Sequence, residues 1–131
     1  MSLTVLIVDD EPNICFLLEQ ALEELEDDHG VTILTAENGR DGLEMIKEHR
    51  PELVLLDIMM PFMSGLEVCE AIRKDPVSQD MTVIMLTAKG QVNDKDHGMK
   101  AGADLYLTKP FHPTMILEKV LEVLAPKLSL V

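Results

Sequence analysis

Three carboxylates, one hydroxyl and one amine stand at or just past the ends of short apolar runs. Asp9 and Asp10 follow residues 5–8, Asp57 follows 53–56, Thr87 follows 83–86, and Lys109 lies just beyond 105–107. In an open parallel sheet, ligands bind outside the carboxyl ends of the strands, so residues in these positions share one rim if their strands are neighbours. Three carboxylates held a few ångströms apart repel one another. Either some keep their protons or a divalent cation neutralises them. A cation-loaded acidic cluster is suited to bringing an anionic phosphoryl group beside a nucleophile that would otherwise repel it. An Asp carboxylate attacking phosphorus gives an acyl phosphate. Lys109 and the Thr87 hydroxyl supply the remaining donors, and no His, Ser or Cys stands in the rim as a rival nucleophile.

Each residue alone has an ordinary explanation. Asp10 could cap the helix that starts at Pro12, Thr87 could cap the next one, Asp57 could begin a turn, and Lys109 could be a solvated loop charge. It is their recurrence at the same place in successive units that points to a site.

Strand and helix patterns alternate regularly along the chain. Five near-continuous apolar runs, at 5–8, 31–35, 53–56, 83–86 and 105–107, read as strands covered on both faces. Between the first two, Ile14, Leu17, Leu18, Ala21, Leu22 and Leu25 form the apolar stripe of one helix, with Pro12 in its first turn. Helical patterns follow at 39–49, ended by Pro51, and at 65–73, before Pro76. The stretch 91–101 is polar, has Gly98 inside it, and is the weakest helix of the set. A last helix starts at Pro113, shows Met115, Ile116, Val120, Val123 and Leu124 on one face, and is expected to stop at Pro126. Such an alternation predicts an α/β fold, a doubly wound five-stranded parallel sheet flanked by five helices. Periodicity does not give the strand order.

With 131 residues, 47% of them hydrophobic, the chain is expected to be a single domain with no internal linker, its core spanning about 4–125. Residues 1–3 could be a vector-derived start. A formal charge of −13, from 24 acidic and 11 basic side chains, repels nucleic acid and anionic membrane surfaces. Direct nucleic-acid or membrane binding is not expected. Cys15 and Cys69 have no CxxC spacing and read as reduced, buried thiols, and the four histidines show no zinc-ligand spacing. The apolar runs are too short to cross a bilayer, and with reduced thiols and no secretory signal this makes cytoplasm the expected compartment.

The motifs themselves are familiar. Val5-Leu6-Ile7-Val8-Asp9-Asp10-Glu11-Pro12, Leu55-Leu56-Asp57-Ile58-Met59-Met60-Pro61, Val83-Ile84-Met85-Leu86-Thr87-Ala88, Gly102-Ala103-Asp104-Leu105-Tyr106-Leu107 and Thr108-Lys109-Pro110-Phe111 follow one another in order. Over essentially its whole length the chain resembles the response-regulator receiver family of two-component signalling. The resemblance implies the flavodoxin-like strand order 2-1-3-4-5. It implies that Asp57 is the phosphoacceptor, and that Asp10, Asp57 and the backbone carbonyl of Met59 ligate Mg²⁺, with Asp9 acting through a metal-bound water. It assigns Thr87 and Lys109 to the phosphoryl oxygens, Tyr106 to an aromatic switch, and a cis bond to Lys109-Pro110. Met59 and Lys89, two places beyond Asp57 and Thr87, vary in the family and would tune phosphoryl lifetime.

The partners implied are a histidine kinase or histidine phosphotransfer protein as donor and an effector domain or downstream protein as output, with a phosphorylation-dependent dimer compatible with the family. The chain would be a signalling switch rather than an enzyme, catalysing only its own Mg²⁺-dependent phosphorylation and dephosphorylation. The alternative is a phosphorylation-independent receiver-like interaction module, which usually loses rim residues; here none is lost. An Asp-nucleophile phosphatase would carry a DxD arrangement and a cap, and a flavodoxin would need a phosphate loop where Asp9-Asp10-Glu11-Pro12 stands. The sequence leaves open the cognate kinase, the output, and whether the receiver stands alone or is part of a larger regulator.

Overall fold

The apolar runs become the five strands of one sheet. The computed structural model describes residues 3–88 and 101–128. Strands β1 (Thr4–Val8), β2 (Thr32–Ala36), β3 (Leu53–Asp57), β4 (Thr82–Ala88) and β5 (Leu105–Lys109) pair in parallel throughout, in the order β2-β1-β3-β4-β5. That is the expected order, and it sets β1 beside β3 and β3 beside β4. The ladders run one or two residues past the apolar runs. Asp57, Thr87 and Lys109 therefore lie among the last two residues of their strands rather than in the loops beyond, because the pairing is made by backbone groups whatever the side chain.

Alternation along the strands divides the core in two. Val5, Ile7, Leu53, Leu55, Ile84, Leu86 and Leu107 point to one face, where α1 (Pro12–Ala21), α2 (Glu23–His29) and α5 (Pro113–Leu128) cover them. Leu6, Val8, Val54, Leu56, Val83 and Met85 point to the other, under α3 (Gly39–His49) and α4 (Gly65–Lys74). Leu18, Leu22 and Leu25 are fully buried against the first face, each contributing about 1.5–3 kcal/mol by leaving water.

Two helical expectations need correction. The segment between β1 and β2 is not one helix but two, meeting at Leu22, whose φ of −100° and ψ of 7° leave the α region. The apolar stripe crosses the break intact, and burial of Leu22 and Leu25 decides where the chain goes rather than helical continuity. At the other end, α5 passes Pro126 and ends at Leu128. A proline in the last turn deletes only one N–H···O bond, and Leu128 packs against the first core. The helix expected over residues 91–101 lies, apart from Ala101, outside the described residues.

Local chemistry fixes the helices nearest the rim. Asn38 caps α3 by accepting the Asp41 N–H at 2.8 Å, and Ser64 and Glu67 form a capping box at the start of α4. Gly65 follows directly: a Cβ there would run into the backbone carbonyl of Asp57, so α4 can approach the end of β3 only through glycine. At the far end of α4, Arg73 donates to the carbonyls of Gly102 (2.9 Å) and Gln79 (2.8 Å) and pairs with Asp104 at 2.8 Å, tying α4 to the entry of β5.

Candidate functional site

Asp9, Asp10 and Asp57 meet at the carboxyl end of the sheet, each offering an oxygen within 4.8 Å of the others. Asp57 ends β3, and Asp9 directly follows β1, the neighbouring strand. Asp9 is fully buried and Asp57 is 3% exposed. Asp10 is half-buried. The Asp9 backbone is held from both sides: its N–H donates to Ala36 O at 3.1 Å, and its carbonyl accepts the Cys15 thiol at 3.3 Å.

Lys109 is the cation of this cluster. Its Nζ lies 3.5 Å from Asp9 Oδ2, 3.5 Å from Asp57 Oδ1 and 3.6 Å from Glu11 Oε1. The following Lys109-Pro110 bond is cis, as the resemblance implied. Asp57 Oδ1 also accepts the Met59 N–H at 3.4 Å, while the Met59 side chain is exposed. Asp9 Oδ1 accepts the Glu11 N–H at 2.9 Å, but among the described residues the buried Asp9 Oδ2 has no hydrogen-bond partner, its contact with Lys109 lying at the limit of hydrogen-bond length.

The electrostatics follow from this crowding. Burial, and then the charge of Asp9, push Asp57 up to about 7, against the pull of Lys109 and the Met59 N–H. Burial likewise raises Asp9, opposed by the Glu11 N–H and Lys109. For Lys109 burial acts downward, but the carboxylates of Asp57, Asp9 and Glu11 together outweigh it and its pKa is raised. Among the described residues, the cluster holds more negative charge than one ammonium offsets. Hard oxygen donors at this spacing, one of them buried with no partner among the described residues, fit a small divalent cation such as Mg²⁺.

The remaining expected residues lie close by but not on the same pleat. Asp57 pairs with Leu86 in register and shares its face, whereas Thr87 pairs with Thr108 and is turned toward the other face with Met85 and Tyr106. Thr87 is 4% exposed, and Tyr106 is half-buried against the second core. Two participants were missed in the sequence. Glu11 reaches Lys109, and Cys15 lies directly beneath Asp9. An i to i+6 spacing across a strand-to-helix turn gives no periodic signal for the second. Cys15 is no rival nucleophile, because burial and the nearby Asp9 charge hold its thiol up at about 11.

The model of the response regulator receiver domain matches residues 5–121. The chain belongs to that family. The receiver is 40% identical over 121 residues to the phosphate regulon transcriptional regulatory protein PhoB of Pseudomonas aeruginosa, an alignment covering 92% of this chain and 51% of that protein. It is 37% identical over 124 residues to the alkaline phosphatase synthesis transcriptional regulatory protein PhoP of Bacillus subtilis, covering 95% and 49%. The receiver thus spans about half the length of these relatives. Among solved structures, a putative response regulator from Chloroflexus aurantiacus superposes with a TM-score of 0.86 at 32% identity, covering 95% of the receiver and 99% of that chain. The BeF3-activated DrrB receiver domain superposes with a TM-score of 0.83 at 33% identity, covering 95% and 99%. The receiver is therefore a signalling module of the two-component response regulators. Among the described residues, no helix is long and apolar enough to cross a membrane.

Proposed function

We propose that this receiver is switched by transfer of a phosphoryl group onto Asp57, in a single domain that runs the length of the chain. The observation that carries the reading is the convergence of three carboxylates within 4.8 Å around a buried Asp57 that Lys109 contacts at 3.5 Å. A carboxylate oxygen of Asp57 attacks phosphorus on a phosphohistidine of a histidine kinase or histidine phosphotransfer protein. The P–N bond breaks, an acyl phosphate forms, and the imidazole leaves with the electron pair. Hydrolysis of the acyl phosphate resets the switch.

Asp10, Asp57 and the Met59 carbonyl would hold Mg²⁺, with Asp9 acting through a water. When bound, the ion neutralises the carboxylates and the phosphoryl oxygens, so that a dianion can approach an acidic pocket. Lys109 donates to a phosphoryl oxygen and the Thr87 hydroxyl to another. Phosphorylation adds about −1.5 to −2 charge at Asp57, enough to draw the uncharged Thr87 hydroxyl toward it. Tyr106 shares the Thr87 face, so that movement opens space into which its ring can shift. The surface around β5 is then altered for an effector domain, a downstream protein or a second receiver. Cytoplasm is the compartment in which such donors and two free thiols coexist.

Intact-mass spectrometry after incubation with acetyl phosphate tests the assignment. The wild-type chain should gain one phosphoryl mass with Mg²⁺ and none with EDTA, and Asp57→Asn should gain none. Labelling that persists in Asp57→Asn, or that ignores EDTA, removes Asp57 from its role. An unlabelled wild type that still binds a partner favours the phosphorylation-independent module.

A further inference from the structure

Glu11 is a carboxylate that neither the acidic triad nor helix capping uses. It is the N-cap residue of α1, yet its side chain makes no capping hydrogen bond. It lies outside the group of oxygens that could share an ion, and its side chain is 60% exposed. Its Oε1 is nevertheless 3.6 Å from Lys109 Nζ, almost as close as the two buried carboxylates. Among the described residues this is the one polar contact its side chain makes.

The backbone fixes that approach. Asp9 Oδ1 accepts the Glu11 N–H at 2.9 Å, and the Glu11 carbonyl accepts the N–H groups of Ile14 at 3.0 Å and Cys15 at 3.1 Å. Glu11 is thus clamped on both sides at the mouth of the pocket. Lys109 is drawn inward by Asp9 and Asp57 and outward by Glu11.

We propose that Glu11 is a positioning residue: it holds the Lys109 ammonium at the pocket mouth and competes with the incoming phosphoryl group for it. The proposal rests on the assignment of Lys109 to the phosphoryl oxygens. At 3.6 Å the contact is an ion pair rather than a hydrogen bond, so Glu11 acts through its charge, which draws the ammonium outward and away from an anion deeper in the pocket. Because the Glu11 side chain is mostly solvated, the competition is worth about two- to fivefold in anion affinity, the range of exposed ion pairs. Its effect is to shorten the residence of the anion, which makes Glu11 a brake on the switched state.

Beryllofluoride binding in saturating Mg²⁺, measured by calorimetry, tests this on wild type, Glu11→Gln, Lys109→Ala and the double variant. Glu11→Gln should bind about two- to fivefold tighter, and the gain should fall below about 1.5-fold when Lys109 is absent. A gain in affinity cannot arise from a misfolded variant. Equal gains in both backgrounds would mean that Glu11 acts only by its general charge, and would overturn the proposal. So would an unchanged or weaker affinity in Glu11→Gln. Mg²⁺ affinity, measured separately, should change by less than about threefold, as expected for one solvated charge nearby. A larger loss makes Glu11 a metal ligand and overturns its role as a brake. Failure of the wild type itself to bind beryllofluoride would instead strike at the phosphoacceptor assignment and take the brake down with it.

Discussion

Replacing Asp57 by Asn should stabilise the metal-free protein at alkaline pH while abolishing its phosphorylation. In the folded chain, burial and the Asp9 charge hold the Asp57 proton up to about pH 7, whereas a carboxyl in its ordinary state releases it at 3.8. Between those values the folded state binds more protons than the unfolded state, so stability falls as pH rises. The contribution is fully present below about pH 4 and lost above about pH 7. At ~1.4 kcal/mol per pH unit the whole interval corresponds to about 4 kcal/mol. Asp9, itself raised, competes for the same proton, so the share belonging to Asp57 is about 2–4 kcal/mol. Asn carries no proton to release and occupies nearly the same volume. Urea unfolding in EDTA should therefore show Asp57→Asn more stable than wild type at pH 8, with a gap that widens by about 2 kcal/mol from pH 5 to pH 8. Millimolar Mg²⁺ should narrow the gap by stabilising only the wild type. A gap that is independent of pH, or an Asn variant that is less stable at pH 8, would refute the account of a strained acidic pocket.

Two further perturbations probe the same site. Lys109→Ala should lose about 1–3 kcal/mol in EDTA at pH 8, because Asp9 and Asp57 are left buried without their cation, and should recover most of it in Mg²⁺; paired urea titrations read both values. Gly65→Ala should lose at least about 2 kcal/mol and weaken beryllofluoride binding, since the new Cβ displaces the Asp57 carbonyl and with it the acceptor side chain; thermal unfolding and calorimetry check the two effects.

Much of the architecture was legible because it rests on period and punctuation. Near-continuous apolar runs such as 53–56, too short for a helix of ordinary length, read as strands covered on both faces, and β3 is buried along its whole length. Gly39–His49 emerged with the bounds read from its pattern, Pro51 marking its end. Reading failed where tertiary burial overrode local rules. Leu22 breaks the first helix although its apolar stripe is unbroken, and Pro126 does not stop the last one. Neither outcome has a sequence signal, since each depends on what the side chains find opposite them.

Which chemical groups stand at the carboxyl ends of the strands is written in the chain itself, because Asp57, Thr87 and Lys109 each stand at or just past the end of an apolar run. The chain also carries the motifs that mark the receiver family. Which of these groups face one another depends on how the strands pair. Register sets Asp57 on the face of Leu86 and turns Thr87 to that of Tyr106, a distinction of one residue that no periodicity resolves. Folding also brought Glu11 and Cys15 to the pocket and left Asp9 Oδ2 buried with no hydrogen-bond partner among the described residues. Distances between carboxylates, and the desolvation that raises their pKa values, belong to packing across strands. They arise only once residues far apart in the chain have excluded water together.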